Sequence, residues 1–271
     1  MKRSRNELAE IAQQAVDIGH QILKSTRPNT VTSKSDRDVY TDVDVHIERR
    51  IRAHLSQITP EFGFLGEEEG GADLQASEMP TWVLDPIDGT SNFAHGIPLY
   101  AVQIALVEQG KALVAAVDLP VTNSRYVAVK GGGAYVNGRR IRVSNTQKLE
   151  KSVVSIGDYA TGEGSKRKND LRIALTALLA QKVERIRMFG SAAHDLVWAA
   201  EGRTEAAVML SNNTVDTVAG TLIAVEAGAL ALDGQGQPHN IDSKETVVLT
   251  PFLAEHLMPS IRSLLKGSGK I

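Results

Sequence analysis

The sequence predicts a mixed α+β / α/β protein, with an α+β half over residues 1–149 and a layered α/β half over residues 150–271. Three observations predict it. Two amphipathic helical patterns open the chain, short β-rich runs split by turn signals fill its middle, and from about Leu149 strand and helix patterns alternate. At 271 residues the chain can bury one large core or two smaller ones.

Leu8, Ile11, Ala15, Ile18 and Ile22 recur at spacings of three and four, which puts them on one face of a helix. Ile47, Ile51, Leu55 and Ile58 predict a second helix, ended by Pro60, and the polar stretch from Pro28 to Thr41 between the two reads as a loop. Phe62 to Leu65 predicts a strand that runs into Gly66 and three glutamates, Glu67, Glu68 and Glu69. Thr81 to Leu84 predicts another, ending at Asp85-Pro86, where the proline disfavours helix at the residue before it. From Tyr100 to Val143, β-rich runs are separated by Glu108-Gln109-Gly110, Asp118-Leu119-Pro120, Gly131-Gly132-Gly133 and Asn137-Gly138. These are turn signals, and they predict an antiparallel meander.

Beyond Leu149, strands at Val153–Ile156, Glu184–Phe189 and Glu205–Met209 alternate with helices at Asp170–Gln181, Ser191–Ala200 and Thr217–Glu226. The polar segment from Gly162 to Lys168 reads as a linker or surface loop. There is no internal repeat and no low-complexity segment.

Composition narrows the function. Lys and Arg number 30 against 32 Asp and Glu, a formal net charge of -2, so no basic excess points to a nucleic-acid polymer. With no cysteine, disulfides, thiolate metal sites and cysteine nucleophiles are excluded, and any metal must be held by oxygen or imidazole. No uncharged run approaches the roughly 18 residues of a membrane span, so no membrane partner is expected. The first residues, Met1-Lys2-Arg3-Ser4-Arg5, lead straight into the amphipathic helix without an apolar signal core. The expected compartment is the cytoplasm.

The chemistry concentrates in Trp82-Val83-Leu84-Asp85-Pro86-Ile87-Asp88-Gly89-Thr90-Ser91-Asn92. Two carboxylates three residues apart at a strand end can converge on one point, which is costly between like charges unless a cation sits there. A hard divalent cation such as Mg²⁺ suits carboxylate and carbonyl oxygen, and the Ile87 carbonyl lies between the two. Gly89, Thr90 and Ser91 follow, small residues whose amides face outward if a helix starts there, as phosphate oxygens require. An isolated Asp-x-x-Asp is more often a solvated turn, and three glutamates in a row more often an acidic surface; the surrounding motifs reverse that balance for Glu67, while Glu69 keeps the surface reading.

Gly66-Glu67-Glu68, Asp85-Pro86-Ile87-Asp88-Gly89-Thr90, Gly190-Ser191-Ala192-Ala193 and Asp216 followed by Ala219-Gly220 together resemble the inositol monophosphatase family over nearly the full chain. The resemblance implies a layered αβαβα sandwich of the inositol monophosphatase / fructose-1,6-bisphosphatase type, and a lithium-sensitive, Mg²⁺-dependent phosphomonoesterase with two or three ions, Mn²⁺ being an alternative. It implies Glu67, Asp85 and the Ile87 carbonyl as ligands of one ion, and Asp85, Asp88 and Asp216 as ligands of a second. Glu67 and Thr90 correspond to the pair that activates the attacking water, supported by Thr41 and Asp44. Asp88, Gly89, Thr90 and Ser91 fall at the phosphate, and Gly190, Ser191, Ala192 and Met209 at the substrate. A homodimer is also implied.

The chain departs from the inositol-cleaving pattern at two places: Val215 stands where a tryptophan is usual, and Met209 where a glutamate contacts a substrate hydroxyl. Thioether sulfur is a poor acceptor beside a carboxylate. The expected substrate is therefore a small soluble phosphate ester of an inositol, sugar or polyol. The alternatives are histidinol phosphate, fructose 1,6-bisphosphate or 3'-phosphoadenosine 5'-phosphate, or a non-catalytic interaction protein on the same fold. Substrate identity is expected around Gly190 to Ala193, Met209, Ser211 and Asn212. His95 and His194 match no catalytic position of the family; His194 reads as a packing, capping or pocket-wall residue, and Trp82 and Trp198 as core.

Overall fold

A computed structural model of the chain describes residues 3–35, 38–211 and 213–267. α1 (Arg5–Ser25) starts from a capping box between Ser4 and Glu7 and buries Leu8, Ile11, Ala15 and Leu23. β1 (Val31–Ser35) and β2 (Asp38–Thr41) then pair as an antiparallel hairpin where the sequence reads as a loop. This is a correction: a mostly polar ribbon carries no apolar alternation from which a strand can be read. α2 (Asp42–Ile58) follows at once, capped by Thr41 and buried along Ile47, Ile51 and Leu55.

Seven further strands, β3 (Gly63–Gly66), β4 (Gly70–Gly71), β5 (Thr81–Asp88), β6 (Ala101–Glu108), β7 (Lys111–Leu119), β8 (Ser124–Val129) and β9 (Gly133–Val136), join β10 (Arg139–Arg140) in an eight-stranded sheet of order β10-β9-β8-β7-β6-β5-β3-β4. β6 to β10 form the predicted meander. Its last turn, Asn137-Gly138, has positive φ at both residues, 48° and 77°, as a two-residue hairpin requires. A five-residue helix, α3 (Thr90–Ala94), sits between β5 and β6.

After a 3₁₀ turn at Leu149–Lys151 come β11 (Val153–Ile156), α4 (Ser165–Ala180), β12 (Arg185–Arg187), α5 (Ala192–Ala200), β13 (Ala206–Met209), α6 (Thr214–Glu226), β14 (Leu230–Leu232), β15 (Thr246–Leu249) and α7 (Pro251–Gly267). The second sheet has the order β12-β11-β13-β15-β14, with β12 and β13 parallel to β11. α4 begins at Ser165, so half of the segment read as a loop is helix; its Lys166-Arg167-Lys168 turn hides the apolar face that begins at Leu171.

The layers follow from which faces are apolar. α1 and α2 cover one face of the large sheet, burying Val102, Ile104 and Leu106 of β6 against Val16 and Ile51. α5 and α6 lie between the two sheets, in one cluster that joins Val117 of β7, Leu196, Ile223 and Val248 of β15. α4 and α7 cover the outer face of the second sheet through Leu175, Leu257 and Ile261. The result is an αβαβα sandwich. α5 and α6 approach closely at Gly220, where a Cβ would stand 2.6 Å from that of Leu196.

Candidate active site

Strand β5 does not end at Leu84; it pairs with β6 as far as Asp88, and all eight of its residues are buried. The register supplies the reason for the correction. Asp85 lies opposite Gln103 and Asp88 opposite Ala101, so β5 carries one extra residue there, a β-bulge at Pro86-Ile87. Residues three apart on a regular strand face opposite sides; the extra residue brings both aspartates to the side of Gln103 and Ala101. Proline fits the bulge because it has no N–H to leave unpaired.

Three carboxylates meet at this strand end. Glu67, Asp85 and Asp216 each offer an oxygen within 4.8 Å of the others. Glu67 comes from the turn after β3 and Asp216 from the first turn of α6. Gln103 donates through Nε2 to Asp85 Oδ2 at 3.1 Å and to the Asp216 carbonyl at 2.9 Å, tying β5, β6 and α6 together. Among the described residues, Asp85 Oδ1 is buried without a partner. Burial, and then the charges of Glu67, Asp88 and Asp216, push Asp85 well above the usual carboxylate range. Burial and the charges of Glu67 and Asp88 push Asp216 up to about 8. A buried acceptor with no donor, inside converging oxygen ligands that repel one another, fits a hard divalent cation.

Asp88 is engaged by α5. Its carboxylate accepts the Ser191 hydroxyl and the amides of Ala192 (3.0 Å) and Ala193 (3.1 Å), at the start of α5. Burial still pushes it up to about 7. Ser191 gives its hydrogen to Asp88, so His194, whose Nδ1 is 2.7 Å from Ser191 Oγ, donates to that oxygen. His194 is 1% exposed, held by burial down to about 4, and packs edge-on against Trp198, the capping and packing role expected of it. His95 lies on the surface against the Ser91 carbonyl.

On the α2 side, Thr41 donates to Asp44 Oδ2 from both its backbone and its hydroxyl, and Thr90 Oγ1 lies 3.1 Å from Asp44 Oδ1 and 2.9 Å from the Ile87 carbonyl. Thr41 and Asp44 are wholly buried, and burial pushes Asp44 up to about 6. Gly89, with φ 81°, starts α3; a Cβ there would stand 2.9 Å from the Leu99 carbonyl and 3.0 Å from that of Gly190. Asn92 Nδ2 donates to the carbonyls of Leu99 and Phe189, closing α3 onto the Gly190 loop. Ser91 is exposed, and Met209 is buried in the wall of a cavity of about 240 Å³ that also includes Asp88, Gly190, Ser191, Ala192, Ser211 and Asp216. Asn212 lies outside the described residues.

Several positioning residues were not read from the sequence. Gln103 is one, and its signal was a lone amide inside the apolar run of β6. Glu48 is another: 0% exposed, it accepts the amides of Glu68 (2.9 Å) and Glu69 (3.1 Å) and Arg52 Nη2 (2.7 Å), fixing the acidic turn. Lys34 of β1 reaches Glu67 at 2.7 Å and Glu68 at 2.6 Å. Burial pushes Glu68 up to about 7 even so.

A stability prediction follows from the raised carboxyl groups. Between about pH 4 and about pH 8 the folded chain holds protons that the unfolded chain releases, so stability of the metal-free protein falls as pH rises through that window. Thermal midpoints with chelator should drop from about pH 5 to about pH 8, and saturating Mg²⁺ should recover the loss at the higher pH. A chelated protein at its most stable near pH 8 would contradict this.

The sequence matches the inositol monophosphatase family over residues 4–266. It is 34% identical over 237 residues to an inositol-1-monophosphatase of Mesorhizobium japonicum, covering 88% of each chain. It is 40% identical over 206 residues to the Nus factor SuhB of Xylella fastidiosa, covering 76% of this chain and 73% of that one. A solved IMPase of Thermotoga maritima superposes with a TM-score of 0.85 at 27% identity, over 97% of this chain and 98% of the other. With sequence and fold agreeing from end to end, the chain belongs to the inositol monophosphatase family, phosphoric monoester hydrolases of the αβαβα sandwich type.

Proposed function

We propose that the chain is a Mg²⁺-dependent phosphomonoesterase of a small soluble phosphate ester. The observation that carries the reading is the convergence of Glu67, Asp85 and Asp216 within 4.8 Å around a buried Asp85 oxygen that has no donor. Glu67, Asp85 and the Ile87 carbonyl would hold one ion, and Asp85, Asp88 and Asp216 a second, with Mn²⁺ an acceptable substitute. Bound there, such ions lower the pKa of water and offset the charge of the phosphate oxygens.

The chain's own groups would do the rest. Thr90 has one hydroxyl hydrogen, which its two acceptors, Asp44 Oδ1 and the Ile87 carbonyl, already claim. Its oxygen therefore presents lone pairs, and can accept from a water that Glu67 deprotonates. Thr41 holds Asp44 in place for that role. Amides of Gly89, Thr90 and Ser91 at the start of α3 would take the phosphate, and Gly190, Ser191, Ala192 and Met209 would face the alcohol. We take the working form to be a cytoplasmic homodimer, on the family resemblance.

The test is phosphate release from inositol, sugar, histidinol and adenosine phosphates, with and without Mg²⁺ and with added Li⁺. Mg²⁺-dependent release from one of them supports the reading and names the substrate branch. Folded, metal-binding protein that releases none would favour a second reading, an interaction protein, which the 40% identity to a Nus factor supports.

A further inference from the structure

The cavity beside the carboxylates contains a charge that the proposed chemistry does not use. Arg172, in the second turn of α4, is 7% exposed and lines this cavity together with Asp88, Asp158, Asp195 and Asp216. Among the described residues its guanidinium makes one hydrogen bond, from Nη2 to Ser211 Oγ at 2.8 Å. Among the described residues no carboxylate makes an ion pair with it. Asp158, on the same cavity wall, attracts it from beyond ion-pair range. Burial outweighs the attraction of Asp158 and Tyr159 and lowers Arg172 from its ordinary value.

A neutral polyol would leave that guanidinium without an anion. Met209 on the same wall offers no charge and only a weak sulfur acceptor to a hydroxyl. On the phosphatase reading of the site, we propose that the substrate carries a second anionic group, a carboxylate or a second phosphate, which Arg172 binds while the reacting phosphate lies at Asp85 and Asp216. The planar fork of donors suits either anion. The cavity of about 240 Å³ is open to solvent and leaves room for a second anion beside Arg172.

The experiment compares esters that differ only in the second charge: glycerol 3-phosphate with 3-phosphoglycerate for a carboxylate, and fructose 1-phosphate with fructose 1,6-bisphosphate for a phosphate. The anionic member of at least one pair should have kcat/KM about tenfold or more above its neutral partner, mainly through KM. The pair that shows the preference identifies the anion. In Arg172→Met that ratio should collapse toward one, and Arg172→Lys should recover part of it.

Equal kcat/KM within both pairs, or an Arg172→Met variant that keeps the ratio, overturns the inference. Should Arg172→Met fail to fold, the Arg172→Lys ratio alone decides. Release of phosphate from p-nitrophenyl phosphate by the wild-type protein separates the two levels: release without charge preference sinks only this inference, and no release from any ester sinks the phosphatase reading beneath it.

Discussion

Asp85→Asn is expected to lower phosphate release by roughly 10³-fold or more, on the order of 4 kcal/mol of transition-state stabilisation. Asp85 is the carboxylate shared between both proposed ion sites, and its free Oδ1 is the acceptor that no protein donor satisfies. Asparagine keeps the shape and the bulge register opposite Gln103 but removes the charge. The same substitution should raise the stability of the metal-free protein near pH 8, because it deletes one of several mutually repelling buried carboxylates. Loss of turnover together with a higher chelated thermal midpoint is the expected signature. A variant that turns over at the wild-type rate would remove Asp85 from the chemistry. One that loses activity by unfolding would point to a merely structural role.

Glu48→Ala is expected to be the most destabilising single change near the site, at about 3–5 kcal/mol, or a thermal midpoint lower by roughly 10 °C. The Glu48 carboxylate has no exposure, and its removal leaves two amides without an acceptor and the Arg52 guanidinium without its carboxylate partner, keeping only the Gly70 carbonyl. Glu67 sits one residue before those amides, so Mg²⁺ affinity measured by calorimetry should fall along with stability. Glu48→Gln keeps one acceptor oxygen and should recover part of both losses. If Glu48→Ala melts with the wild-type protein and binds Mg²⁺ equally well, the acidic turn is held by something else.

Much of the fold is legible in the residues because each element carries its own period. α1 and α2 show it in their three-and-four spacings, and the meander in Asn137-Gly138 and its other turns. α7 was also within reach: Leu253, Leu257, Ile261 and Leu265 stand four apart and are buried, although Pro259 interrupts the pattern. The β1–β2 hairpin was not within reach, since its mostly polar residues show no apolar alternation from which a strand can be read. The start of α4 was hidden by three basic residues that face solvent.

The site divides in the same way. Glu67, Asp85, Ile87, Asp88, Gly89, Thr90 and Asp216 can be named from a chain met for the first time, because the chemistry of oxygen ligands and open amides is a property of short segments. What they face is not. The bulge that turns Asp85 and Asp88 to one side, the Gln103 amide that joins Asp85 to Asp216, Glu48 beneath the acidic turn and Arg172 across the cavity are relations between residues up to 113 positions apart. Residue type and local period therefore determined the fold class and the candidate ligands. Only the tertiary structure decided which carboxylates converge, which one also caps α5, and which buried cation has no ion pair among the described residues, because burial and Coulomb interaction depend on distances that sequence separation does not encode.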